Sequence, residues 1–471
     1  MLYVSTRGEA PALGFADALL TGLARDGGLY VPASWPAFDP ETFAGFAGRR
    51  YADVATAVMW PFVADAIPRE VFERMVEDAY AGFHHPAVCP LVQLTERDWV
   101  LELFHGPTLA FKDVAMQLLG RLMDHVLNQR DARATIVGAT SGDTGGAAIE
   151  AFRGRDRVDV VMLFPHGRVS DVQRRMMTTP TDANIHAVAI EGTFDDCQAI
   201  LKALFNDHAF RDRVRLSGVN SINWARLLAQ IVYYVTAAVA LGAPARKLAF
   251  AVPTGNFGDV FAGYVAAKLG LPVDSLIVAT NVNDILARTL ESGAYEPRQV
   301  TPTTSPSMDI QVSSNFERLL FDASNRDANA VRRQMADLAT IGRFALDPGT
   351  LTNIRRLFRA ARADEAEVKA MIGDTWLRAG YLLDPHTAVG VASARKVEVD
   401  ASVPVVVLGT AHPAKFPAAV EAASGVRPGL PPSLADLMKR PERVMVLPND
   451  AAAVAEFVAK RSRAVRSGAA T

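Results

Sequence analysis

Cysteine is nearly absent from this chain of 471 residues, which contains only Cys89 and Cys197. The two cysteines form no CxxC motif and have no histidine at zinc-finger spacing, which excludes a disulfide framework and a zinc-ribbon domain. Isolated cysteines are typical of reduced, buried thiols, so we expect a cytoplasmic protein without a metal site. The N-terminus agrees with this location, because Arg7 and Glu9 stand where a signal peptide would have its apolar run.

A large excess of charge of either sign is also lacking. The 49 Lys and Arg residues against 51 Asp and Glu give a net charge of −2. This balance argues against nucleic acid as the main partner and against an acidic disordered chain. The longest apolar stretch, residues 227–243, is rich in alanine and contains Gln230 and Thr236. Such a segment is typical of a helix buried in an α/β core, so we expect no membrane span.

Short apolar runs alternate with helical patterns from about residue 99 onward. Runs of Val, Ile and Leu without polar alternation are typical of strands covered on both faces. Alternation of strands and helices predicts parallel sheets with right-handed crossovers, and ligand sites at the carboxyl ends of the strands. The predicted strands are residues 134–138, 158–164, 187–190, 247–252, 276–279 and 403–408.

The regions on either side of this α/β pattern differ from it. Apolar residues recur at helical spacing in the first part of the chain, for example over residues 71–80. After residue 301 a Pro- and Thr-rich loop is followed by charged amphipathic sequence, for example over residues 353–362, which predicts a helical insertion. The last residues, from Ser462 to Thr471, have the composition of a frayed tail.

One glycine-containing loop, residues 253–259, follows a predicted strand and opens a predicted helix. Gly255 and Gly258 allow several consecutive N–H groups to be exposed at the helix N-terminus, which favours a phosphate. The loop lacks the Lys-Ser/Thr of a nucleotide P-loop and the GxGxxG of a dinucleotide site. The alternative is a tight turn that uses its glycines for geometry alone.

A second glycine-containing loop, residues 138–147, also leads from a strand into a helix. The hydroxyl groups of Thr140, Ser141 and Thr144 are interleaved with glycines, which suits a small carboxylate ligand; the alternative is a capping turn. Asp143 would repel such an anion, so its side chain must be turned aside or hydrogen-bonded.

Two further segments carry candidate reactive groups. Lys112 lies beside Phe111 at the start of a predicted helix, and an apolar setting makes a lysine amine a nucleophile suited to a Schiff base. The alternative is an ordinary helix-start lysine paired with Asp113. Thr410 and His412 follow the last predicted strand and would project from its carboxyl end, unless they belong to a simple polar loop.

Taken in this order, the four segments closely resemble those of pyridoxal-phosphate (PLP) enzymes of the tryptophan-synthase-β-like group. More narrowly, they resemble the long type of threonine synthase found in enterobacteria and fungi. The resemblance extends over nearly the whole chain and includes residues 3–8, 26–32, 105–113, 140–146, 220–226, 255–259, 307–311 and 409–416.

The fold class implied is α/β, with mainly parallel sheets in two PLP-enzyme domains (fold type II). A mostly helical N-terminal domain covers residues 1–95, and the PLP-binding core covers residues 96–300 with a smaller substrate-loop subdomain at about 115–215. The helical insertion covers residues 301–385. The C-terminal part, residues 386–471, completes the core and ends in the tail.

The resemblance also implies the role of each candidate residue. Lys112 would hold the cofactor covalently and then act as the proton-transfer base, while Thr410 would bond the pyridine nitrogen. The loop around the cofactor phosphate would consist of Gly255, Asn256, Phe257, Gly258 and Asp259. The loop around the substrate carboxylate would consist of Thr140, Ser141, Gly142, Asp143 and Thr144, where many relatives have Asn in place of Asp143. Candidates for the substrate phosphate are Ser221, Asn223 and Arg226, and His105 either donates to that phosphate or braces its loop.

The implied reaction turns O-phospho-L-homoserine and water into L-threonine and phosphate, in a chain that we expect to be monomeric. We further expect the N-terminal region and the insertion to close over the site, because reactive intermediates require control of water. An alternative is a serine/threonine dehydratase or another β-eliminating lyase, which needs no second phosphate site. Residues 3–8 and 220–226 argue against it. A third reading is a non-catalytic sensor of a phosphorylated metabolite.

Overall fold

The computed structural model describes residues 1–467 and has the expected α/β architecture with mostly parallel sheets. Its strands are β1 (Tyr3–Ser5), β2 (Tyr30–Pro32), β3 (Leu91–Gln93), β4 (Asp98–Glu102), β5 (Ala134–Ala139), β6 (Val158–Pro165), β7 (Ile185–Glu191), β8 (Leu216–Ser217), β9 (Leu248–Pro253), β10 (Val273–Thr280), β11 (Ala294–Tyr295), β12 (Phe344–Ala345), β13 (Phe358–Arg362), β14 (Val405–Gly409) and β15 (Met445–Pro448).

Helices connect and cover these strands. They are α1 (Phe15–Thr21), α2 (Pro40–Ala44), α3 (Tyr51–Val63), α4 (Arg69–Tyr80), α5 (Lys112–Gln129), α6 (Asp143–Phe152), α7 (Asp171–Thr178), α8 (Phe194–Asn206), α9 (His208–Val214), α10 (Trp224–Ala240), α11 (Gly258–Lys268), α12 (Ile285–Ser292), α13 (Phe316–Ala323), α14 (Ala328–Ile341), α15 (Pro348–Arg355), α16 (Glu365–Ala379), α17 (Pro385–Ala394), α18 (Pro417–Ser424), α19 (Ala451–Arg461) and α20 (Arg463–Ser467).

The larger sheet has the strand order β13-β10-β9-β14-β4-β3 and is parallel except for the antiparallel pair of β3 and β4. Strand β9 shows why its sequence has no polar alternation. Phe250 and Val252 pack into the main core, whereas Ala249 and Ala251 pack against a separate cluster that includes residues of α17. Because both faces are covered, every residue of this strand is buried.

The smaller sheet has the order β15-β7-β6-β5-β8, and all of its pairs are parallel. Every residue of β6 is buried, with Val160 and Met162 on one face and Val161 and Leu163 on the other. The carboxyl ends of β5 in this sheet and of β9 in the larger sheet lead into the two glycine-containing loops. The sheets therefore supply the fixed positions from which both loops project.

The region after residue 301 is not entirely helical. The amphipathic pattern over residues 353–362 predicts a helix, but α15 ends at Arg355 and Phe358–Arg362 form β13 at the edge of the larger sheet. Here Phe358 is buried and Arg359 is exposed. Backbone pairing with the neighbouring β10 outweighs the local helical pattern, because strand formation depends on tertiary contacts.

The predicted tail is also wrong for the residues that the structure describes. Ser462 is fully buried and its hydroxyl group lies 2.7 Å from Thr135 Oγ1. Arg463 Nε donates to Asp159 Oδ1 over 2.7 Å, and residues 463–467 form α20. Long-range partners in the smaller sheet hold this segment. Residues 468–471 of the expected tail lie outside the described part of the chain.

The apolar stretch around α10 is a core helix, as expected. Fourteen of its residues are buried, and the indole of Trp224 lies among Tyr3, Trp35 and Phe62 of the N-terminal region. Within residues 1–467, none of the helices has the length and hydropathy needed to cross a membrane.

Candidate active site

Lys112 is the first residue of α5 and lies beside the carboxyl end of β14. The backbone N–H of Phe111 donates to the carbonyl oxygen of Thr410 over 2.9 Å, and Ala110 forms an isolated bridge with Ala411. Leu109 adopts a positive φ of 58°, which turns the chain into this contact. These contacts bring Lys112 and Thr410, two of the predicted site residues, to one place.

The surroundings of Lys112 favour a neutral amine. Its side chain is almost fully buried, and Nζ lies 4.5 Å from the ring centre of Phe111. Burial lowers the pKa of Lys112 to about 8, with a further contribution from the positive charges of Arg226 and Lys415; Asp143 and Asp259 oppose the shift. At pH 7 roughly a tenth of a group with this pKa is unprotonated, far more than for an ordinary lysine, and that neutral form is the nucleophile or base.

Asp113 is not the partner of Lys112, so that alternative is wrong. The carboxylate of Asp113 instead accepts hydrogen bonds from Thr108, at 2.7 Å from its backbone N–H and at 2.6 Å from its hydroxyl group. Burial raises the pKa of Asp113 to about 6 despite these bonds. Asp113 therefore closes the loop in front of α5 and leaves the lysine amine available.

The loop after β9 is held open by contacts to its carbonyl groups. Ser313 Oγ donates to the carbonyl oxygen of Gly255 over 2.6 Å, and Asn315 Nδ2 donates to that of Asn256 over 3.0 Å. A Cβ atom at Gly255 would lie only 2.8 Å from a backbone oxygen of Ser307. Because these carbonyl groups are bonded to side chains, the N–H groups at the N-terminus of α11 could serve an anion.

Phe257 and Asp259 complete this turn. Phe257 is buried with a φ of 64°, which reverses the chain immediately before α11. The Asp259 side chain points towards α10, where Oδ1 accepts hydrogen bonds from the hydroxyl groups of Tyr233 and Tyr234. Burial raises the pKa of Asp259 to about 6, and Oδ2 has no partner among the described residues. Its carboxylate braces the loop, and its negative charge is turned towards the tyrosines.

In the loop after β5, Thr140 shapes the turn. Its Oγ1 accepts hydrogen bonds from the backbone N–H groups of Gly142 and Gly145, each over 2.9 Å. Ser141 and Thr144 lie at the N-terminus of α6 and are half-buried. Among the three predicted hydroxyl groups, the geometry thus gives Thr140 a capping role and favours the other two as ligand contacts.

Gly142 allows a close approach that no other residue type permits. Its φ of 136° lies in a region that side chains rarely adopt. A Cβ atom at this position would lie 2.5 Å from the Gln173 carboxamide carbon. The Gln173 carboxamide has to lie this close to Gly142, because its Nε2 donates to Asp143 Oδ1 over 2.9 Å.

Asp143 is turned aside and paired, as its charge requires. Its Oδ1 lies 2.6 Å from Lys415 Nζ, and its Oδ2 lies 3.9 Å from Lys112 Nζ. Burial alone would raise the pKa of Asp143, but the charges of Lys415 and Lys112 hold it well below its usual range. The carboxylate therefore faces the two lysines and stays ionised.

Thr410 provides a test of whether the residues fit PLP. Its side chain is buried at the carboxyl end of β14, and Oγ1 has no hydrogen-bond partner in the described chain. Its backbone N–H donates to Thr387 Oγ1 over 3.2 Å, which fixes the residue in place. A buried hydroxyl group without a partner is costly, and a pyridine nitrogen would satisfy it. The amine of Lys112, the phosphate loop and this hydroxyl group together fit PLP.

His412 is a structural residue of the same segment. Its Nδ1 accepts a hydrogen bond from the Ala414 backbone N–H over 3.1 Å, and its ring packs edge-on against Phe104. Burial lowers the pKa of His412 to about 4, so the ring is neutral at physiological pH. Because Nδ1 accepts the bond from Ala414, the neutral ring carries its proton on Nε2.

The three candidates for the substrate phosphate have different environments. Arg226 is almost fully buried; its Nη1 donates to the carbonyl oxygen of Val219 over 3.3 Å, and its Nε has no partner among the described residues. Burial lowers the pKa of Arg226 to about 10. Ser221 is half-buried near the start of α11, since a Cβ atom at Gly258 would lie 3.5 Å from its Cβ. Both can serve an anion.

The geometry of Asn223 favours a role different from the expected one. Its Oδ1 accepts from the backbone N–H of Ala225 over 3.1 Å and so caps α10, while its Nδ2 donates to the carbonyl oxygen of Leu19 over 2.8 Å. The side chain is fully buried. The carboxamide oxygen and one of the two Nδ2 hydrogens are thus used within the protein, and Asn223 caps the helix that carries Arg226.

For His105, the contacts favour the bracing alternative. Its Nε2 lies 2.7 Å from Glu102 Oε2, and Glu102 Oε1 accepts from the Tyr381 hydroxyl group over 2.7 Å. The ring of His105 is stacked on that of Phe104. Its backbone carbonyl accepts from His84 N–H, so both the ring and the main chain hold the loop before Lys112.

Sequence reasoning missed several residues that the site depends on. Lys415 belongs to the segment that resembles the family, so its position was visible although its contact with Asp143 was not. Gln173 and Arg318 lie outside every quoted motif. The fully buried Arg318 donates to Tyr30 O over 3.0 Å and to Asn315, and so connects the N-terminal region to the cofactor loop. No local pattern signals such contacts.

Comparison with known proteins agrees with this geometry along the chain. Residues 2–80 match the family Threonine synthase N terminus, residues 88–363 match Pyridoxal-phosphate dependent enzyme, and residues 387–458 match Threonine synthase, C-terminal. A threonine synthase of Pseudomonas aeruginosa is 55% identical over 461 residues, which cover 98% of each chain.

Solved structures agree as well. A PLP-bound threonine synthase from Brucella melitensis has a TM-score of 0.96 at 61% identity, covering 98% of this chain and all of that one. Yeast threonine synthase has a TM-score of 0.92 at 39% identity, covering 98% of both chains. A threonine deaminase from Solanum lycopersicum, at 13% identity and a TM-score of 0.51, covers 88% of this chain and 96% of its own and shares the fold alone. The chain belongs to the threonine synthase family of pyridoxal-phosphate-dependent lyases.

Proposed function

We propose that this chain converts O-phospho-L-homoserine and water into L-threonine and phosphate, with PLP held at Lys112. The observation that carries this proposal is Arg226, a buried guanidinium group whose Nε has no partner in the described structure. It lies near enough to Lys112 to lower the pKa of that amine. An anion donor next to the reactive amine, in addition to the cofactor loop, suits a substrate that carries a phosphate of its own.

The substrate carboxylate would be bound at the N-terminus of α6. The backbone N–H groups of this helix end and the hydroxyl groups of Ser141 and Thr144 are the donors. Asp143 contributes no repulsion, because its carboxylate is directed at Lys415 and Gln173. Binding at this end orients the α-carbon of the substrate towards Lys112.

PLP supplies an electron sink for the charge that develops when a proton leaves the substrate. Lys112 would take the proton from Cα, give that proton up, and then, as a neutral amine again, take one from Cβ; its lowered pKa of about 8 makes this feasible near neutral pH. Arg226 and Ser221 bind the phosphate and stabilise its negative charge as it leaves Cγ. Protonation at Cγ, addition of water at Cβ and return of a proton to Cα would then complete the methyl group, the hydroxyl group and the α-carbon of threonine.

The proposal is tested by incubating the holoenzyme with O-phospho-L-homoserine and measuring phosphate and threonine together. We expect the two products in equal amounts, and none from Lys112→Ala. Parallel incubations with L-serine and L-threonine are assayed for the keto acids that a dehydratase forms. Keto acid production without threonine from the phosphorylated substrate would assign the chain to the β-eliminating alternative instead.

We further infer that the protein is a cytoplasmic monomer. Cys89 and Cys197 are buried free thiols, and burial raises the pKa of Cys197 to about 12, so neither depends on an oxidising compartment. The monomeric state follows from the family resemblance. Light scattering over a range of protein concentrations tests it, since a dimer would give twice the expected mass.

A further inference from the structure

Two buried lysines share one carboxylate in this site. Lys415 Nζ lies 2.6 Å from Asp143 Oδ1, and Lys112 Nζ lies 3.9 Å from Asp143 Oδ2. The side chains of Lys415 and Asp143 are only 1% and 4% exposed. At such burial an unpaired charge is strongly unfavourable, so the charges of these three groups depend on one another.

The charge on Lys112 has to change if this residue holds PLP and then moves protons. It is an ammonium group, a neutral amine or a covalently linked nitrogen at different stages. A carboxylate that faced Lys112 alone would lose its counter-ion whenever the lysine became neutral. Lys415 removes this difficulty, because its position next to Asp143 does not depend on the state of Lys112.

The contacts of Lys415 also fix where Asp143 points. Its Nζ donates to the carbonyl oxygen of Thr108 over 2.8 Å, in the loop that leads to Lys112. Lys415 itself ends a 3₁₀ turn, Pro413–Lys415, that follows β14. The ammonium group therefore stands between the loop before α5 and the start of α6, and it draws the carboxylate away from the donors at the α6 N-terminus.

We propose that Lys415 is a positioning residue, which holds Asp143 as a permanently ionised counter-ion of the cofactor-bearing lysine and compensates that carboxylate while the charge on Lys112 changes. A neutral asparagine at this position would need no such cation. An aspartate does. The inference rests on PLP being held at Lys112, as proposed above, and not on the identity of the substrate.

Other charged groups also face this pair. Lys112 is influenced by Asp143, Arg226, Lys415 and Asp259. Asp143 is influenced in addition by His386 of α17. Without the positive charge of Lys415, the groups around Lys112 carry a more negative net charge. Asp143 can then pair with Lys112 alone. The protonated form of the nitrogen at Lys112 is then favoured.

The test is a pH titration of the holoenzyme without substrate. The ultraviolet–visible spectrum of bound PLP reports protonation of the nitrogen that links it to Lys112. We expect Lys415→Met to raise the midpoint by about one pH unit or more, because a nearby charge shifts a pKa by roughly that amount. Lys415→Arg, which keeps the charge, restores most of the wild-type midpoint. Asp143→Asn lowers it, because Lys415 then repels the proton without compensation.

A matched control and a double variant distinguish the positioning role of Lys415 from a direct effect of its charge on Lys112. Lys439 also ends a 3₁₀ turn, Leu437–Lys439, but is exposed, so Lys439→Met should leave the midpoint unchanged. If Lys415 acts through Asp143, its replacement shifts the midpoint less in the Asp143→Asn background than in the wild type. Equal shifts in both backgrounds would mean that Lys415 acts on Lys112 directly and would overturn the positioning role.

Two further results would also overturn the proposal. One is an unchanged midpoint in a folded, cofactor-loaded Lys415→Met variant. The other, decisive even if that variant fails to fold, is an unchanged midpoint in Asp143→Asn. Since no substrate is present, failure here is distinct from failure of the proposed reaction, which is measured by threonine and phosphate.

Discussion

The backbone N–H of Phe111 donates to the carbonyl oxygen of Thr410 over 2.9 Å, and this bond helps to place Lys112 beside the end of β14. The lysine amine and the Thr410 hydroxyl group belong to segments that lie far apart in the sequence. The bond makes them opposite sides of one site. The amine and the hydroxyl group that would hold the two ends of the PLP ring therefore lie on segments that are joined by the same backbone contact.

Replacement of Thr410 by valine should weaken PLP binding without destabilising the apoprotein. The Thr410 hydroxyl group is buried without a partner in the described structure, so the isosteric Thr410→Val should leave the apoprotein equally stable or slightly more stable. The affinity for PLP should fall roughly tenfold, since one hydrogen bond of about 1–1.5 kcal/mol is lost. Thermal unfolding of the apoprotein and a fluorescence titration with PLP measure the two effects. A less stable apoprotein with unchanged PLP affinity would contradict the assigned role.

Arg226→Gln should affect phosphorylated ligands selectively. A hydrogen bond from a charged donor contributes about 2–3 kcal/mol, so we expect KM for O-phospho-L-homoserine to rise roughly 30- to 100-fold. Binding of the unphosphorylated analogue L-homoserine, followed by the cofactor spectrum, should change little. If both ligands were weakened equally, Arg226 would instead act on the fold of the site. Replacement of an exposed arginine, Arg213→Gln, serves as the matched control.

Lys112 should reduce the stability of the apoprotein at neutral pH. Its pKa is lowered from 10.5 to about 8 in the folded state, chiefly by burial, while the unfolded chain keeps the ordinary value. Between these two values only the unfolded state holds the proton, so stability rises as the pH rises from about 8 to 10.5. Below pH 8 the folded state has to bury the charged amine, and this lowers the free energy of unfolding by at most about 3 kcal/mol.

Lys112→Met should accordingly unfold at a higher urea concentration than the wild type at pH 7. The difference between the two urea midpoints, which we call the gap, should narrow above pH 10. The exposed Lys439→Met provides the control, with no gap at either pH. A Lys112→Met apoprotein that is less stable than the wild type at pH 7 would show that the amine is stabilised by its neighbours.

Closure of the N-terminal region and the 301–385 region over the site stays a prediction. Thr6 Oγ1 donates to Glu317 Oε1 over 2.6 Å, and Arg7 Nη2 lies 3.0 Å from Glu317 Oε2, so the two regions are joined and should move together. Hydrogen exchange with and without a substrate analogue should show coordinated protection of both. Glu317→Gln weakens the connection and should make their protection independent. Identical exchange in both states would contradict closure.

Much of the fold follows from local patterns. Each of the six predicted strands coincides with an observed one, and both glycine-containing loops lead from strands into helices as predicted. Such patterns succeed because a strand covered on both faces has to be apolar throughout. They fail for β13 and for Ser462, whose conformations depend on pairing with β10 and on the hydroxyl group of Thr135. No local window contains those partners.

The candidate site, like the fold, can be predicted from the sequence only in part. The types of residue in each segment already indicate an amine, a phosphate loop and a carboxylate loop, since this chemistry is a property of the side chains themselves. Which of them are free to act is decided by packing. Asn223 is used as a helix cap and Thr140 as a turn cap, whereas Arg226 keeps a free nitrogen.

Six strands of the two main sheets, both glycine-containing loops, the chemistry of the reactive groups and the resemblance to a family can all be read from the amino-acid sequence, because residue type over short spans encodes them. The pairing of Lys415 with Asp143 and the orientation of Asp259 towards its tyrosines exist only in the folded chain. Those contacts join distant parts of the chain, and their strength arises from burial, which exists only once the whole protein has folded.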